Sequence, residues 1–492
     1  MKNLPTIDSL IPHSMEANSD DRAFKRALTI FKEASYRVPA YNDFLNKYKI
    51  KADKIKTKSD FSQVPLVDKV NYISQYGIED LSWDGVLAST KYISTSSGST
   101  GLPFYWPRGD NQDTVVGMIF HNLYENIFGT KNNHTLCVNS FALGTWIAGF
   151  ELYNATKWSA HNGSKIALVT PGIDRVEAIN QIKKLAHGFK RIILAGYPPF
   201  VKDIIELGNI SGINWSELDV RLLTGGEAFS EMWREYVLKM IGKEPDDVAS
   251  LINMYGMSET GVVGHETPTS VILRRTLRNL NNNKKLPVYN HEMSIYQYYP
   301  TARYFEVARD NSLILTSNAG LPLVRYDTRD VGGILHFGDV MNEAGNELFA
   351  QAKKSNVNVM RWQLPFVYLY GRKDLSVSLY ALKIYVENIK RALEDLLISS
   401  KLSGLFIMSV KETSKFNQRL RITIELSRGR MPSKALHKII SRLVVIKLCE
   451  VNSEYRKLYA SVGARALPKI KLLKYGEINT APGRKHKWIK RH

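Results

Sequence analysis

Cysteine is scarce in this 492-residue chain: Cys137 and Cys449 are its two, far apart and without a CxxC pair, which argues against a disulfide framework. The eleven histidines show no ligand spacing, so no zinc site is indicated, and a reducing, cytoplasmic compartment is expected. No continuous apolar run reaches the roughly 18 residues of a membrane span. Met1 to Met15 likewise lacks the apolar centre of a signal peptide, so a soluble protein with no transmembrane segment is expected. Acid is the scarcer charge: 47 Asp and Glu face 67 Lys and Arg, a formal net charge of +20. That excess favours anionic partners such as a nucleotide, a nucleic acid or a membrane surface, although a solvated basic face gives the same imbalance.

What is present is a globular composition, 44% apolar and 23% charged, on a chain long enough for two or more domains. The stretch that organises it is Ser94-Thr95-Ser96-Ser97-Gly98-Ser99-Thr100-Gly101-Leu102-Pro103, directly after strand-like Lys91-Tyr92-Ile93. Gly98 and Gly101 let the backbone approach an anion, and Ser96, Ser97, Ser99 and Thr100 offer hydroxyl donors, so the run reads as a phosphate-gripping loop. Leu102 stands where a P-loop kinase or GTPase needs lysine, which disfavours that class. Ser/Gly runs also serve as linkers. This one is framed by Phe104-Tyr105-Trp106-Pro107 and by Val115, Met118, Ile119, Leu123 and Ile127 at helical spacing, the surroundings of a site.

Along the chain, Phe24, Ala27, Leu28, Phe31 and Ala34 share one side of a predicted helix, followed by Val38-Pro39-Ala40-Tyr41 and the turn Pro65-Leu66-Val67-Asp68-Lys69. From residue 134 to 200 apolar strand-like and helical runs alternate, which predicts an α/β sheet. Phe141, Trp146, Phe150 and Tyr153 are bulky enough to line an acid-binding pocket, and equally suited to plain core. Gly196-Tyr197-Pro198-Pro199 opens a helix. Val220 to Glu227 is a strand ending in Gly225-Gly226-Glu227, where the backbone can approach a flat ring.

Five motifs in this order resemble the signatures of the adenylate-forming superfamily, which holds acyl-CoA synthetases, firefly luciferase and nonribosomal peptide adenylation domains. The loop at 94–103 is similar to its first signature, and Tyr255-Gly256-Met257-Ser258-Glu259 resembles "YGxTE" with serine for threonine. Arg325-Tyr326-Asp327-Thr328-Arg329-Asp330 resembles "RYRTGD", and Gly371-Arg372-Lys373-Asp374 resembles "GRxD". The end, Thr480 to Trp488, is similar to the final lysine loop, with Arg484 where a glycine is usual. Val38 to Tyr41 and Pro65 to Lys69 are similar to segments of phenylacetate-CoA ligases, and Asp374 to Lys390 to relatives encoded among capsule-polysaccharide genes. Ala381 and Val386 depart from that pattern's glycine and proline.

The resemblance implies an α/β fold with a large multi-layer adenylation domain over 1–372 and a small, mobile α+β lid over 373–492, hinged at Asp374. It implies ATP and Mg²⁺ as cofactors, with Glu259 as metal ligand, Ser258 at the α-phosphate, and Lys485 as catalytic lysine, Lys487 standing second. Nucleotide-binding positions would be Ser96, Ser97, Gly98, Ser99, Thr100, Gly101, Gly225, Gly226, Glu227, Tyr255, Gly256, Asp330 and Arg372. The implied activity is conversion of a small carboxylic acid to an acyl-adenylate with release of pyrophosphate, then transfer to coenzyme A. A carrier-protein thiol or an amine stays open as acceptor. From another class, a basic nucleic-acid-binding protein that keeps the fold without catalysis fits the charge, though no dedicated reading motif accompanies it.

Overall fold

Strand and helix alternate through the first half of the chain, as its apolar runs predict, in a computed structural model that describes residues 19–88, 90–95, 104–144, 147–279, 293–372, 376–379, 382–412, 418–478 and 488–490. Strands β1 (Tyr92–Thr95) and β2 (Tyr105–Arg108) pair as an antiparallel ribbon. Five further strands, β3 (Thr135–Asn139), β4 (Ile166–Val169), β5 (Arg191–Gly196), β6 (Val220–Gly225) and β7 (Leu251–Met257), lie parallel in the order β4-β3-β5-β6-β7. Helices Ile147–His161, Arg175–Leu185, Pro198–Ile210 and Glu231–Met240 connect them. Strands covered on both faces need no polar alternation, which is why β3, β5 and β6 are nearly continuous buried runs. Asp174 caps one crossover helix by accepting from the amides of Val176 and Glu177, and Pro198 starts the next in the first turn, where its missing N–H costs nothing.

After β7 the sheet changes character. Strands β8 (Gly261–His265), β9 (Ser294–Tyr298), β10 (Tyr304–Val307), β11 (Ser312–Ser317), β12 (Leu323–Leu335) and β13 (Phe366–Arg372) continue it antiparallel, in the order β7-β8-β9-β13-β12-β11-β10. Residues 258–260 form the turn at which the parallel half meets the antiparallel one. Helix Ser19–Arg37 buries Phe24, Ala27, Phe31 and Ala34, as their spacing predicts, in a cluster that reaches Leu323 and Tyr326 of β12.

A separate apolar cluster runs from Val377 to Trp488. It is built on the hairpin β14 (Ser376–Leu379) and β15 (Leu382–Tyr385), and on a sheet of β16 (Leu402–Glu412), β17 (Gln418–Leu426) and β18 (Lys469–Leu473). Helices Val386–Leu393 and Lys434–Val451 cover that sheet with Ile389, Ile440, Val444 and Leu448. Residues 488–490 return to it: the Met408 amide donates to the Trp488 carbonyl at 2.7 Å and the Lys490 amide to the Met408 carbonyl at 3.0 Å. Among the described residues, no helix is long and apolar enough to cross a membrane.

Candidate active site

The turn between β7 and β8 presents Glu259, whose side chain is 8% exposed. Its Oε1 lies 2.6 Å from the Lys69 ammonium and accepts from the Tyr326 hydroxyl at 3.0 Å. Lys69 comes from the far N-terminal part because the Pro65–Lys69 segment docks along β12: the Val67 amide donates to the Arg325 carbonyl, the Asp327 amide donates to the Val67 carbonyl, and Arg329 pairs with Asp68 at 3.2 Å. Beneath the turn, Arg108 of β2 is 1% exposed, donates from Nε to Ser94 at 3.0 Å, and donates from Nη2 to the Ser258 carbonyl. Burial pushes its guanidinium below the usual range, against the pull of Glu151 and other acids.

One strand pairing brings two of the motifs together. Asp330 of β12 lies directly opposite Arg372 of β13, and the Asp330 carboxylate accepts from the Tyr255 hydroxyl of β7 at 2.5 Å. The Tyr255 ring is buried beside Tyr296, with centroids 5.6 Å apart. Gly226 sits at φ +83°, and a Cβ there would come within 2.9 Å of the Tyr197 ring, so the turn after β6 needs glycine on both counts. Glu227 pairs at 3.0 Å with Lys390 of helix Val386–Leu393, and the Lys390 ammonium lies 4.2 Å from the centroid of Trp488.

Below these residues opens a cleft with about 800 Å³ of space, part of it open to solvent. Phe120, Phe141, Leu152, Tyr197, Met254 and Met257 give it an apolar wall, and Gly225, Gly226, Gly256 and Ser258 form its rim. Of the aromatic candidates, Phe141 lines this cleft. Phe150 packs instead against Tyr92 and Tyr153. Glu151 also lines the cleft, at 9% exposure, and burial raises its carboxyl to about 7 even though Arg108 pulls it down.

The β6–β7 region rests on a buried charge network. Arg234 donates to Glu231 at 3.0 Å, to Glu266 at 2.6 Å and to the Leu251 carbonyl at 2.6 Å, while Glu266 also accepts from the Asn253 amide at 2.8 Å. Burial alone would raise Glu231, but Arg234, Arg274 and Arg275 outweigh it and hold its carboxyl down at about 2.

Ser96, Ser97, Gly98, Ser99, Thr100, Gly101, Trp146, Asp374, Lys485 and Lys487 lie outside the described residues, and of Arg372 only the backbone is described. Residues brought together are Tyr255, Gly256, Ser258, Glu259, Asp330, Gly225 and Gly226, with Phe141 in the adjoining wall. Sequence reasoning missed the contributions of Lys69, Tyr326, Arg108 and Glu151. Lys69 and Tyr326 stood inside motifs already read. Glu151, a lone acid in the apolar run Trp146 to Tyr153, carried a signal of its own, whereas nothing local marks Arg108 as buried.

A hard carboxylate oxygen such as those of Glu259 is the kind of donor that Mg²⁺ takes, an ion that keeps most of its waters; here Glu259 Oε1 pairs with the Lys69 ammonium, which a bound cation would have to displace or share. No larger group of His, Cys, Asp or Glu suited to a metal occurs among the described residues.

No family model matches the chain, and no curated protein matches it in sequence. Solved structures do. 2-Hydroxyisobutyryl-CoA ligase in the postadenylation state with 2-HIB-AMP superposes with a TM-score of 0.68 at 14% identity, over 100% of this chain and 94% of that one. The same ligase with 2-HIB-AMP and CoA in the thioesterification state gives 0.54 at 14% identity, over 99% and 94%. The GH3.15 acyl acid amido synthetase gives 0.57 at 14% identity, over 96% and 91%. At these identities the likeness is one of fold, shared with these CoA ligase and amido synthetase structures.

Proposed function

We propose that this chain is an ATP-dependent, AMP-forming carboxylate ligase of the phenylacetate-CoA ligase-like branch, with an adenylation domain at 1–372 and a lid at 373–492 that turns about Asp374. The observation that carries the reading is the pairing of Glu259 with Lys69 and Tyr326 and of Tyr255 with Asp330, from segments far apart in sequence, while Gly256, Met257 and Ser258 between Tyr255 and Glu259 line the cleft. In this reading a carboxylate oxygen of the substrate attacks the α-phosphorus of ATP, a P–O bond forms as the bond to pyrophosphate breaks, and the product is an acyl-adenylate. Bound at Glu259, Mg²⁺ would neutralise charge on the phosphates. The chain's own residues do the rest. Ser258 and the 96–101 loop bind phosphate oxygens, Asp330 accepts from the ribose hydroxyls, the Gly225-Gly226-Glu227 turn borders the base, and Lys485 brings a cation to the developing charge. Positioning and charge stabilisation account for most of such a rate enhancement.

Coenzyme A is the acceptor we favour. Ala381, where relatives carry glycine, adds a methyl group near the acceptor's approach, and a carrier thiol or an amine is the second possibility, supported by the shared fold of an acyl acid amido synthetase. A cytoplasmic site of action belongs to the same proposal and accords with two free thiols. The test is a panel of carboxylic acids offered with ATP and Mg²⁺ and scored by pyrophosphate release. Acid-dependent release is the expected result, and silence across aromatic, aliphatic and substituted acids would reject the reading.

A further inference from the structure

One carboxylate of the cleft has no task in adenylate formation. Glu151 projects from helix Ile147–His161 and is 9% exposed. Its Oε1 accepts from the Val262 amide at 3.2 Å, and among the described residues Oε2 has no hydrogen-bond partner. The carboxyl lies over Gly261, where a Cβ would overlap Oε1, so the turn that carries Glu259 is shaped around it. Glu151 forms no ion pair with a described residue, which sets it apart from Glu231 and Glu266 in the network around Arg234. A structural carboxylate would be expected to have both oxygens satisfied at this depth. This one lines a cleft walled mainly by apolar side chains, with Thr95 and Ser258 its other polar ones, and keeps an acceptor there without a partner among the described residues.

We propose that Glu151 selects the acid, accepting at Oε2 a hydrogen bond from a hydroxyl on an otherwise apolar substrate, so that the preferred substrates are hydroxylated carboxylic acids. The inference rests on the ligase reading above. A plain hydrocarbon acid would cover Oε2 and leave it unpaired, which a hydrogen-bonding site penalises heavily. An amino acid would satisfy it but add a third cation: Arg108 from β2 and Arg303 from before β10 already face Glu151, with Asp113 of helix Asp110–Asn126 the other acid in range. A hydroxyl supplies the donor without the charge.

The experiment uses matched triplets on aliphatic and phenyl skeletons, each an unsubstituted acid, its hydroxy derivative and its amino derivative, with the substituent walked along the skeleton. Pyrophosphate release gives kcat and KM separately. For the best skeleton the hydroxy acid should exceed its parent in kcat/KM by about tenfold to a hundredfold, chiefly through KM. Glu151→Leu should reverse that order, the parent gaining and the hydroxy acid losing. Should that variant not fold, Glu151→Gln keeps an acceptor for Val262; assayed at about pH 8, where the native carboxyl is ionised, its hydroxy-to-parent ratio should fall several-fold because a neutral carbonyl accepts more weakly than a carboxylate. An unchanged ratio in both variants, or a preference for the amino member, would overturn the proposal. Activation of acids with no hydroxyl preference would remove this inference alone, whereas no activation of any acid would remove the ligase reading and this inference with it.

Discussion

The large sheet and the C-terminal region hold their charged groups in different ways. In and against the sheet, Glu259, Asp330, Arg108 and Arg234 are buried, and each is held by a partner distant in sequence. The C-terminal region has its own apolar core and meets the sheet through separate polar contacts: Lys390 with Glu227, the Ser230 amide with Glu394 at 3.2 Å, and Tyr475 with Asp203 at 3.2 Å beside Arg175. Buried networks are costly to break because each lost partner strands a charge, while part-exposed pairs can part and be rehydrated. On the proposed reading, the first region would hold the nucleotide in a fixed frame and the second would dock and release.

Breaking the frame should have the largest effect. Arg234→Met leaves Glu231 and Glu266 without their shared guanidinium and should cost about 3 to 5 kcal/mol of stability, read by denaturant unfolding. Lys485→Ala should slow adenylate formation by on the order of 3 kcal/mol in activation free energy with Tm unchanged, and Lys487→Ala should matter less. Single-turnover measurement of acyl-adenylate decides between them, and the reverse ranking would move the catalytic lysine two residues along.

Glu151 sharpens the comparison through pH. Its carboxyl rises from an ordinary 4.5 to about 7 on folding, so between those values the folded chain binds the extra proton. Stability from this group is greatest below about pH 4.5, declines as pH rises toward 7, and is then lower by roughly 3 kcal/mol. Glu151→Gln should therefore raise Tm at pH 8 and change it little at pH 5. The smallest effect belongs to the docking contacts: Lys390→Met should cost only about 1 kcal/mol of stability. It should nevertheless speed amide hydrogen exchange in helix Val386–Leu393, which a purely rigid attachment would not show.

Much of this organisation was legible in the sequence. Parallel strands β3, β5 and β6 were readable because coverage on both faces leaves continuous apolar runs, and helix Ser19–Arg37 because one side is apolar at helical spacing. Pairing direction after β7 was not readable, since it depends on which distant strands meet. Motif order placed Tyr255, Glu259 and Asp330 near a common site, but their pairings were hidden for a physical reason: Lys69 reaches Glu259, and Tyr255 reaches Asp330, only through long-range docking that no local pattern records. Arg108 reads as one more basic residue in a basic chain, and its burial follows only from the strand that carries it under the Ser258 turn.

The most direct test of the central claim is exchange of labelled pyrophosphate into ATP, followed with an acid that supports pyrophosphate release, for the native chain and for Glu259→Gln. Exchange that requires both acid and Mg²⁺, and that Glu259→Gln reduces by at least about a hundredfold with its fold intact, is the predicted result. Exchange at the native rate in Glu259→Gln, or in the absence of Mg²⁺, would contradict the assignment of this carboxylate to the nucleotide's metal.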